Sequence, residues 1–384
     1  MARRRALTYT RKIFQALSKL PNNMNIQDII RGYNPSLPLE KASTPPSAWY
    51  PNNEFAQLEQ EKVLGKGWLI AARVEQLQER GQYVATEIAN QPIVIVRGET
   101  LKAFYNVCQH HAAQIMNTGA GCTKALTCPY HGWSYKLDGS LGATPLFEGV
   151  CDFDKTQHGL KEVRLDVWEK WIFVCLDPQC QPLSDYLGDF YHQLQPLNTN
   201  RMSFYKRVSY QLNCNWKIYV DNYLDGGYHV PILHKGLNSA LDGQHYKIEV
   251  FDRYCLQSCP TKSRENEFSQ VRTGTARYFW QYPNLMVNIY DAIMGIMIVE
   301  PIAVNQCKVT FEYYFDNDHP LITEQFKENS MVIANKIQDE DVAVCHSVQK
   351  GLASNGYETG RLSVKKEAGE HLFHRLLYQD IVEP

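Results

Sequence analysis

Two short Cys/His segments constrain this chain more than any other feature of its sequence. The first contains Cys108 and His110, and the second contains Cys128 and His131. Thiolate sulfur and imidazole nitrogen are common protein ligands for iron and zinc. Because each segment carries one ligand of each type within one short loop, two such loops facing each other would hold a metal centre between them.

The mixed order of the ligands separates two kinds of metal centre. In a [2Fe–2S] cluster of the Rieske type, two thiolates bind one iron and two histidines bind the other. Zinc also accepts two sulfurs and two nitrogens, but zinc fingers commonly place the two Cys together and the two His together. The sequence therefore predicts a [2Fe–2S] cluster, with zinc as the alternative and with His111 as a neighbour rather than a ligand. The predicted cluster ligands are Cys108, His110, Cys128 and His131.

A second pair of histidines supplies a site that could receive the electron. A Rieske cluster passes on single electrons, so an acceptor is expected elsewhere. His229 and His234 would point about 140° apart on an unbroken helix, but Pro231 interrupts that helix and lets the second ring turn back toward the first. Two imidazoles and one carboxylate form the facial set that binds non-haem Fe(II) and leaves positions open for O₂.

Asp341 is the predicted carboxylate of this set. A helical pattern covers 321–352 and contains the acidic run Asp339, Glu340 and Asp341. The positions three, four and seven residues from Asp341 are almost all apolar, whereas those around Asp339 include charged and polar residues. Asp341 is therefore expected on the buried face, where a carboxylate is costly unless it is paired or bound to a metal. The alternative is a carboxylate hydrogen-bonded within the core.

Two acids that precede the histidines are candidates for connecting the two metal centres in catalysis. Asp225 lies one helical turn before His229 and could orient that imidazole through a hydrogen bond. Asp221 lies a further turn back on roughly the same helical face. The alternative is that both acids belong to a helix start or to a solvated face.

Composition excludes several functional classes. The 384 residues carry a formal net charge of −2, so no nucleic-acid partner is predicted. No apolar run reaches the roughly eighteen residues that a membrane span needs. The 11 cysteines are scattered without a secretory signal, which favours a reducing compartment over a disulfide framework. No glycine-rich nucleotide loop is present, so another protein would have to handle any pyridine nucleotide.

The chain is expected to contain three regions in an α+β architecture. Residues 1–45 form a basic N-terminal extension and lead-in, residues 46–165 form an all-β domain with the Cys/His loops, and residues 166–384 form a catalytic domain. The acid-free, amphipathic start fits an organellar transit peptide (residues 1–23), plastid or mitochondrial; the alternative is an ordinary basic terminus on a cytoplasmic protein. Strands followed by one long helix predict that the helix packs on an antiparallel sheet.

The predicted elements follow from hydrophobic periodicity and turn residues. Strands are predicted at 68–71, 83–88, 92–96, 101–104, 163–167, 171–176, 203–212, 246–257, 275–282, 285–290, 294–300 and 306–315, and helices at 52–66, 215–229 and 321–352.

With both metal motifs in place, the chain resembles the α subunits of the Rieske non-haem iron oxygenases, and among them the choline monooxygenases more than others. The resemblance covers residue 38 to the C-terminus. Its supporting segments are PPSAWY at 45–50, CPYHGW at 128–133, NWK at 215–217, DNYLD at 221–225, YHVP at 228–231, YPN at 282–284 and SVQKGL at 347–352.

The resemblance implies a fold, a reaction and a set of partners. It implies a Rieske domain followed by a helix-grip catalytic domain, a homotrimer in which the cluster of one subunit serves the iron of its neighbour, and Asp341 as the carboxylate ligand. Electrons would come from NAD(P)H through a ferredoxin or a flavin reductase. O₂ would hydroxylate choline to betaine aldehyde hydrate in glycine betaine synthesis. The alternatives are another trimethylammonium compound or an aromatic ring as substrate, or an electron-transfer or zinc protein without oxygenase activity.

Two departures from the family pattern lie beside the metal motifs. Many members have Arg after the first histidine of the cluster, where this chain has His111. Many place the bridging acid three residues before the first iron-binding histidine; here that position is Gly226 and the acid is Asp225.

A quaternary ammonium substrate would need an aromatic box, because cation–π contacts suit a charge that cannot donate hydrogen bonds. Three candidates for this box alternate along one predicted strand, and a fourth follows that strand. The candidates are Tyr278, Trp280, Tyr282 and Tyr290. The alternative is that these side chains form an ordinary aromatic sheet core.

Overall fold

The fold contains two large antiparallel sheets, each of seven strands, and one small sheet of two strands, with helices packed on the second large sheet. The computed structural model describes residues 25–197, 199–262 and 266–383. The segment interpreted as a transit peptide, residues 1–23, lies outside this range. Within it, no helix is long and apolar enough to cross a membrane. The predicted α+β class, with antiparallel sheets and one long helix, is confirmed.

The strands of the described residues are numbered β1 to β16 in chain order. They are Leu69–Arg73, Gln82–Ile88, Gln91–Arg97, Leu101–Tyr105, Gly119–Cys122, Leu126–Thr127, Ser134–Tyr135, Glu162–Trp168, Trp171–Cys175, Ser203–Leu212, Lys247–Val250, Tyr254–Pro260, Thr275–Gln281, Leu285–Ile289, Ile293–Ala303 and Gln306–Phe315.

The helices of the described residues are numbered α1 to α10, and a π-helical turn at Glu59–Leu64 continues the second of them. They are Ile26–Arg31, Asn53–Leu58, Leu183–Leu187, Asp189–Leu194, Trp216–Leu224, Val230–Leu233, Lys235–Ala240, Glu267–Val271, Glu324–Leu352 and Ala368–Val382. Short 3₁₀ turns lie at Ser47–Trp49, Val74–Gln76, Lys155–Gln157, Gln195–Leu197, Thr199–Arg201 and Gly243–His245.

Strand β3 shows how the first sheet supports the Cys/His loops. Ile93 and Ile95 face one apolar core, whereas Val94 and Val96 face the opposite core, which contains the cluster cysteines. This alternation follows from the two-residue period of a strand. The sheet has the order β1-β9-β8-β4-β3-β2-β5. It continues through β9 to Cys175, past the boundary expected at residue 165.

The second sheet lies between two apolar cores. Its strand order is β10-β16-β15-β14-β13-β12-β11. On one face, Phe279 pairs with Val287 across β13 and β14 and packs toward the first sheet and the short helices α3 and α4. On the other face, Trp280 pairs with Met286 and packs toward α5, α9 and α10. The second face carries the helices that position the candidate iron site.

Two predicted elements differ from those observed, and the helix at Ala368–Val382 was missed. The helix expected at 215–229 ends at Leu224, because Gly226 and Gly227 take φ values of 68° and 65° that a helix does not accept. The strand expected at 246–257 is two strands, β11 and β12, paired as a hairpin. Helix α10 was not predicted; its Phe373 ring lies 5.5 Å from the ring of Trp280.

Candidate metal centres and the adjoining cavity

The two Cys/His loops form matching turns. The Ala112 N–H donates to the Cys108 carbonyl at 2.9 Å, and the Gly132 N–H donates to the Cys128 carbonyl at 3.1 Å. Ala112 and Gly132 have φ values of 59° and 74°, a conformation that is easy for glycine and costly for alanine. Each loop thus folds back tightly, so that a cysteine and a nearby histidine project from one turn.

The side chains of the two loops meet above buried thiols. Cys108 and Cys128 are 3% and 2% exposed. The rings of His110 and His131 lie 4.9 Å apart, and the His110 ring stacks on Trp133 at 4.5 Å. Nδ1 of His110 is buried and has no hydrogen-bond partner among the described residues. A buried nitrogen without a partner is costly unless it binds a metal, so this arrangement fits the predicted cluster.

The surroundings of these side chains favour a neutral histidine and a hydrogen-bonded sulfur. Desolvation, followed by the nearby His111 and His131, lowers the pKa of His110. His111 lies on the exposed rim, with its ring 3.9 Å from the ring of His110. The Tyr135 hydroxyl accepts the N–H of Gln109 at 2.9 Å and lies 3.4 Å from Sγ of Cys108.

The candidate iron ligands come from both ends of a short helix and from the long helix. His229 precedes α6 and His234 follows it, while Asp341 lies on α9. Oδ1 of Asp341 is 3.0 Å from Nε2 of His234 and 4.0 Å from Nε2 of His229. Pro231 occupies the first turn of α6, as its fixed φ favours. The three predicted residues therefore converge on one position.

Two further carboxylates hold the outer nitrogens of these imidazoles. Oδ2 of Asp225 lies 2.5 Å from Nδ1 of His229, and Oε2 of Glu340 lies 2.5 Å from Nδ1 of His234. A carboxylate at Nδ1 keeps the proton there and leaves Nε2 with a lone pair for a metal. The donor set therefore fits Fe(II), and the orienting contact predicted for Asp225 is present.

Asn222 completes the support of the carboxylate ligand. Its Nδ2 donates to Oδ1 of Asp341 at 2.8 Å. Burial lowers the pKa of His234, but hydrogen bonds and charge from Asp341 and Glu340 outweigh that effect, so the pKa is raised. A metal binding here would displace a proton that these carboxylates attract. Asn222 and Glu340 were not predicted; each is the chain neighbour of a predicted acid, which is the signal that could have found them.

Asp221 belongs to a different buried cluster. It accepts from the Tyr50 hydroxyl at 2.7 Å and lies 2.9 Å from Nε2 of His374. Burial, followed by the charge of Asp221, raises the pKa of the neighbouring Glu370 well above its usual range. The described contacts of Asp221 thus lead to α10 rather than to His229, in contrast to Asp225.

A buried cavity opens from the candidate iron site. His229, His234 and Asp341 line one part of it, and apolar side chains and a group of tyrosines line the rest. These tyrosines are Tyr219, Tyr223, Tyr246, Tyr278, Tyr290 and Tyr313.

Two of the four predicted substrate residues lie in this cavity and two do not. The hydroxyls of Tyr278 and Tyr290 are 2.7 Å apart at its wall. Trp280 instead packs on Phe373 of α10, and the Tyr282 ring lies 4.6 Å from the Arg253 guanidinium. The prediction for Trp280 and Tyr282 is corrected here, because the unpredicted helix α10 covers that end of the strand.

Comparisons with known proteins agree with both sites. Residues 67–154 match the family described as the Rieske [2Fe-2S] domain, and residues 199–382 match the ring hydroxylating alpha subunit, catalytic domain. The chain is 34% identical to chloroplastic choline monooxygenase from Arabidopsis thaliana, over 97% of this chain and 91% of that protein. It is 30% identical to the carnitine monooxygenase oxygenase subunit of Escherichia coli K12, over 88% of this chain and 94% of that protein.

A solved structure shows the same fold over nearly the whole chain. It is a quaternary ammonium Rieske monooxygenase in complex with its substrate L-carnitine, with a TM-score of 0.78 and 27% identity over 94% of this chain and 99% of that one. The chain belongs to the Rieske non-haem iron oxygenases. It is a monooxygenase-type enzyme whose cofactors are a [2Fe–2S] cluster and a mononuclear iron, as predicted. Choline and carnitine monooxygenases are among its relatives within that family.

Proposed function

We propose that this chain is the oxygenase component of a monooxygenase that hydroxylates a small quaternary ammonium compound. The observation that carries this proposal is the convergence of His229, His234 and Asp341 at a buried cavity rich in tyrosine. Tyrosine faces bind a trimethylammonium group through cation–π contacts, which gain strength when water is excluded. The curated relatives, named for choline and carnitine, support the same substrate class.

In this proposal each metal group has its own ligands. When bound, the iron supplies the site at which O₂ is activated, and the cluster supplies single electrons. The proposed iron ligands are His229, His234 and Asp341, and the proposed cluster ligands are Cys108, His110, Cys128 and His131.

The remaining residues of the iron site orient these ligands. Asp225 and Glu340 hold the Nδ1 protons of the two imidazoles, and Asn222 fixes one oxygen of Asp341. Of the two predicted connecting acids, Asp225 is the better placed, because its carboxylate touches His229 directly. It is the residue through which we propose that the electron reaches the iron site.

The proposed partners are a reductase and further copies of this chain. The side chains beside the cluster are exposed: Tyr130 is 64% and Leu146 is 94% accessible. A related structure is described as revealing inter-subunit electron transfer in its own protein. A homotrimer, with a ferredoxin or flavin reductase drawing electrons from NAD(P)H, is therefore our proposal for the working assembly, and light scattering of the loaded protein would measure its mass.

The test is substrate-dependent consumption of NAD(P)H and O₂ by the iron-loaded protein with an added reductase. Choline, the substrate expected from sequence resemblance, is compared with L-carnitine, glycine betaine and benzoate. We expect at least one quaternary ammonium compound, and not benzoate, to yield a hydroxylated product with matching O₂ uptake. Turnover of benzoate alone would contradict the proposal. A purified protein that contains zinc and no mononuclear iron would also contradict it.

A further inference from the structure

The cavity extends along helix α9 away from the iron site. Ser330, Ala334, Ile337, Gln338 and Asp341 all line it, so one face of this helix forms a wall about three turns long. With a rise of 1.5 Å per residue, Ser330 lies about 16 Å from Asp341 along the helix axis. The cavity therefore has a second end, distant from the iron site. Another group of the substrate can bind there while the substrate reacts at the iron.

A buried arginine occupies that second end. Arg272 is 7% exposed and lines the cavity. It donates to Oγ of Ser330 at 3.3 Å and to the Val271 carbonyl at 3.2 Å, and its guanidinium lies 5.2 Å from the centre of the Tyr290 ring. Among the described residues no carboxylate forms an ion pair with it. A buried guanidinium without an anion is costly, so this end of the cavity favours an anionic ligand.

The charges along the described lining lead to the same conclusion. Asp341 is its only carboxylate, and Arg272 is its only permanently charged cation. If Asp341 binds iron, no acid remains there to balance a substrate that carries only a positive charge. A zwitterion brings its own carboxylate, which the planar guanidinium can bind with two parallel hydrogen bonds.

We propose that the cavity binds a trimethylamino carboxylate, with its carboxylate on Arg272 and its trimethylammonium group among the tyrosines on the iron side. This inference rests on the proposed function and narrows its substrate class. Choline has no anionic group that could bind Arg272. A compound that joins a trimethylammonium group to a carboxylate offers a partner to each end, and γ-butyrobetaine is the probe for this class.

The first experiment compares two ligands that differ only at one end. γ-Butyrobetaine and butyltrimethylammonium share the cation and a similar chain, but only the first carries a carboxylate. Calorimetric titration of the loaded wild-type protein should show γ-butyrobetaine binding roughly 10- to 100-fold more tightly, the range expected for hydrogen bonds to a charged group. Equal affinity for the two compounds, or tighter binding of choline than of γ-butyrobetaine, would overturn the assignment.

The second experiment changes the arginine. Arg272→Gln should weaken the binding of γ-butyrobetaine by roughly 10- to 100-fold and raise its KM accordingly. The affinity for butyltrimethylammonium should stay within about two-fold of the wild-type value. Arg272→Lys, which keeps the charge but loses the planar fork, should fall between the wild type and Arg272→Gln. Arg277→Gln is the matched control, because Arg277 lies on β13 nearby, donates to the Thr275 carbonyl and does not line the cavity.

The outcomes separate this inference from the proposed function. If no quaternary ammonium compound is oxidised by protein with both metal groups loaded, the proposed function fails, while the titrations still decide whether Arg272 recognises a carboxylate. If choline is oxidised and both Arg272 variants reduce the affinity for all ligands equally, the proposed function stands. The assignment of Arg272 as the carboxylate site is then wrong. The content of mononuclear iron and the thermal unfolding midpoint of each variant show whether the catalytic region is still folded.

Discussion

The cluster loops and the iron site use similar ligands but are assembled in opposite ways. The proposed cluster ligands lie within 108–131 on two local turns whose histidines reach an accessible rim. The proposed iron ligands come from positions as distant as His229 and Asp341, and they meet only when α9 packs beside the second sheet. Local turns set the first geometry, whereas tertiary packing and two additional carboxylates set the second. Damage to one centre should therefore leave the other intact.

The largest expected effect comes from removing one ligand from each centre. Asp341→Ala should abolish iron binding and substrate-dependent O₂ uptake, with a loss beyond the roughly 10- to 100-fold typical for residues that only support a ligand. Its cluster should remain, with unchanged visible absorption and paramagnetic signals. Cys108→Ser should show the converse, with the cluster lost and the mononuclear iron retained.

Iron and sulfide analysis of both variants provides the measurement. Loss of both metal groups in either single variant would mean that the two sites are not independent within the fold. Asp339→Asn serves as the control for the first variant, because Asp339 lies on the same helix but is exposed.

The next largest effect concerns a buried ion pair beside the second sheet. Lys217 on α5 lies 2.6 Å from Glu59, which follows α2, and both side chains are 1% exposed. Lys217→Met leaves the Glu59 charge buried and unpaired, so we expect the free energy of unfolding to fall by about 3–5 kcal/mol. Urea unfolding measures this loss.

The double variant Lys217→Met/Glu59→Gln tests the cause of that loss. It removes both charges and should recover most of the stability. If the double variant is as unstable as Lys217→Met, lost packing around the lysine stem rather than the buried charge is responsible.

The same contrast between local and distant contacts explains what could be predicted from the sequence. The residue types in the Cys/His loops and the HxxxxH spacing are restricted by metal chemistry, so His110 and His234 could be proposed as metal ligands without knowledge of the fold. Asp341 could be chosen because its helical neighbours are apolar. Glu340 and Arg272 were not identified, because their roles depend on which side chains meet across elements distant in sequence.

Helix α10 was not predicted for a related reason. Its buried residues include Glu370, His371, Leu372, Phe373 and His374. Because these five are consecutive, they point to all sides of the helix and do not form one apolar stripe. The hydrophobic pattern that identifies a surface helix is therefore weak here. The same helix explains why Trp280 and Tyr282, although they alternate correctly with Tyr278, pack away from the cavity.

A moderate effect is expected from the carboxylate behind His234. Glu340→Gln keeps the size of the side chain but removes the charge that holds Nδ1 of His234. We expect iron affinity to fall by about 10- to 100-fold, measured by competition with a chelator, while the cluster stays unchanged. Asp339→Asn on the adjacent position should bind iron like the wild type; an equal loss in both variants would indicate a general effect of charge on α9.

The smallest expected effect is on the electronic properties of the cluster. The hydroxyl of Tyr135 lies 3.4 Å from Sγ of Cys108, and a hydrogen bond to a cluster sulfur stabilises the reduced, more electron-rich state. Tyr135→Phe should therefore lower the reduction potential by on the order of 60 mV, equivalent to about a tenfold change for one electron. Spectroelectrochemical titration measures the shift, and Tyr130→Phe is the control because Tyr130 is 64% exposed. Since the iron site lies in the other region, its affinity for iron should not change in Tyr135→Phe; a change there would show that the two centres are coupled through the fold of one chain.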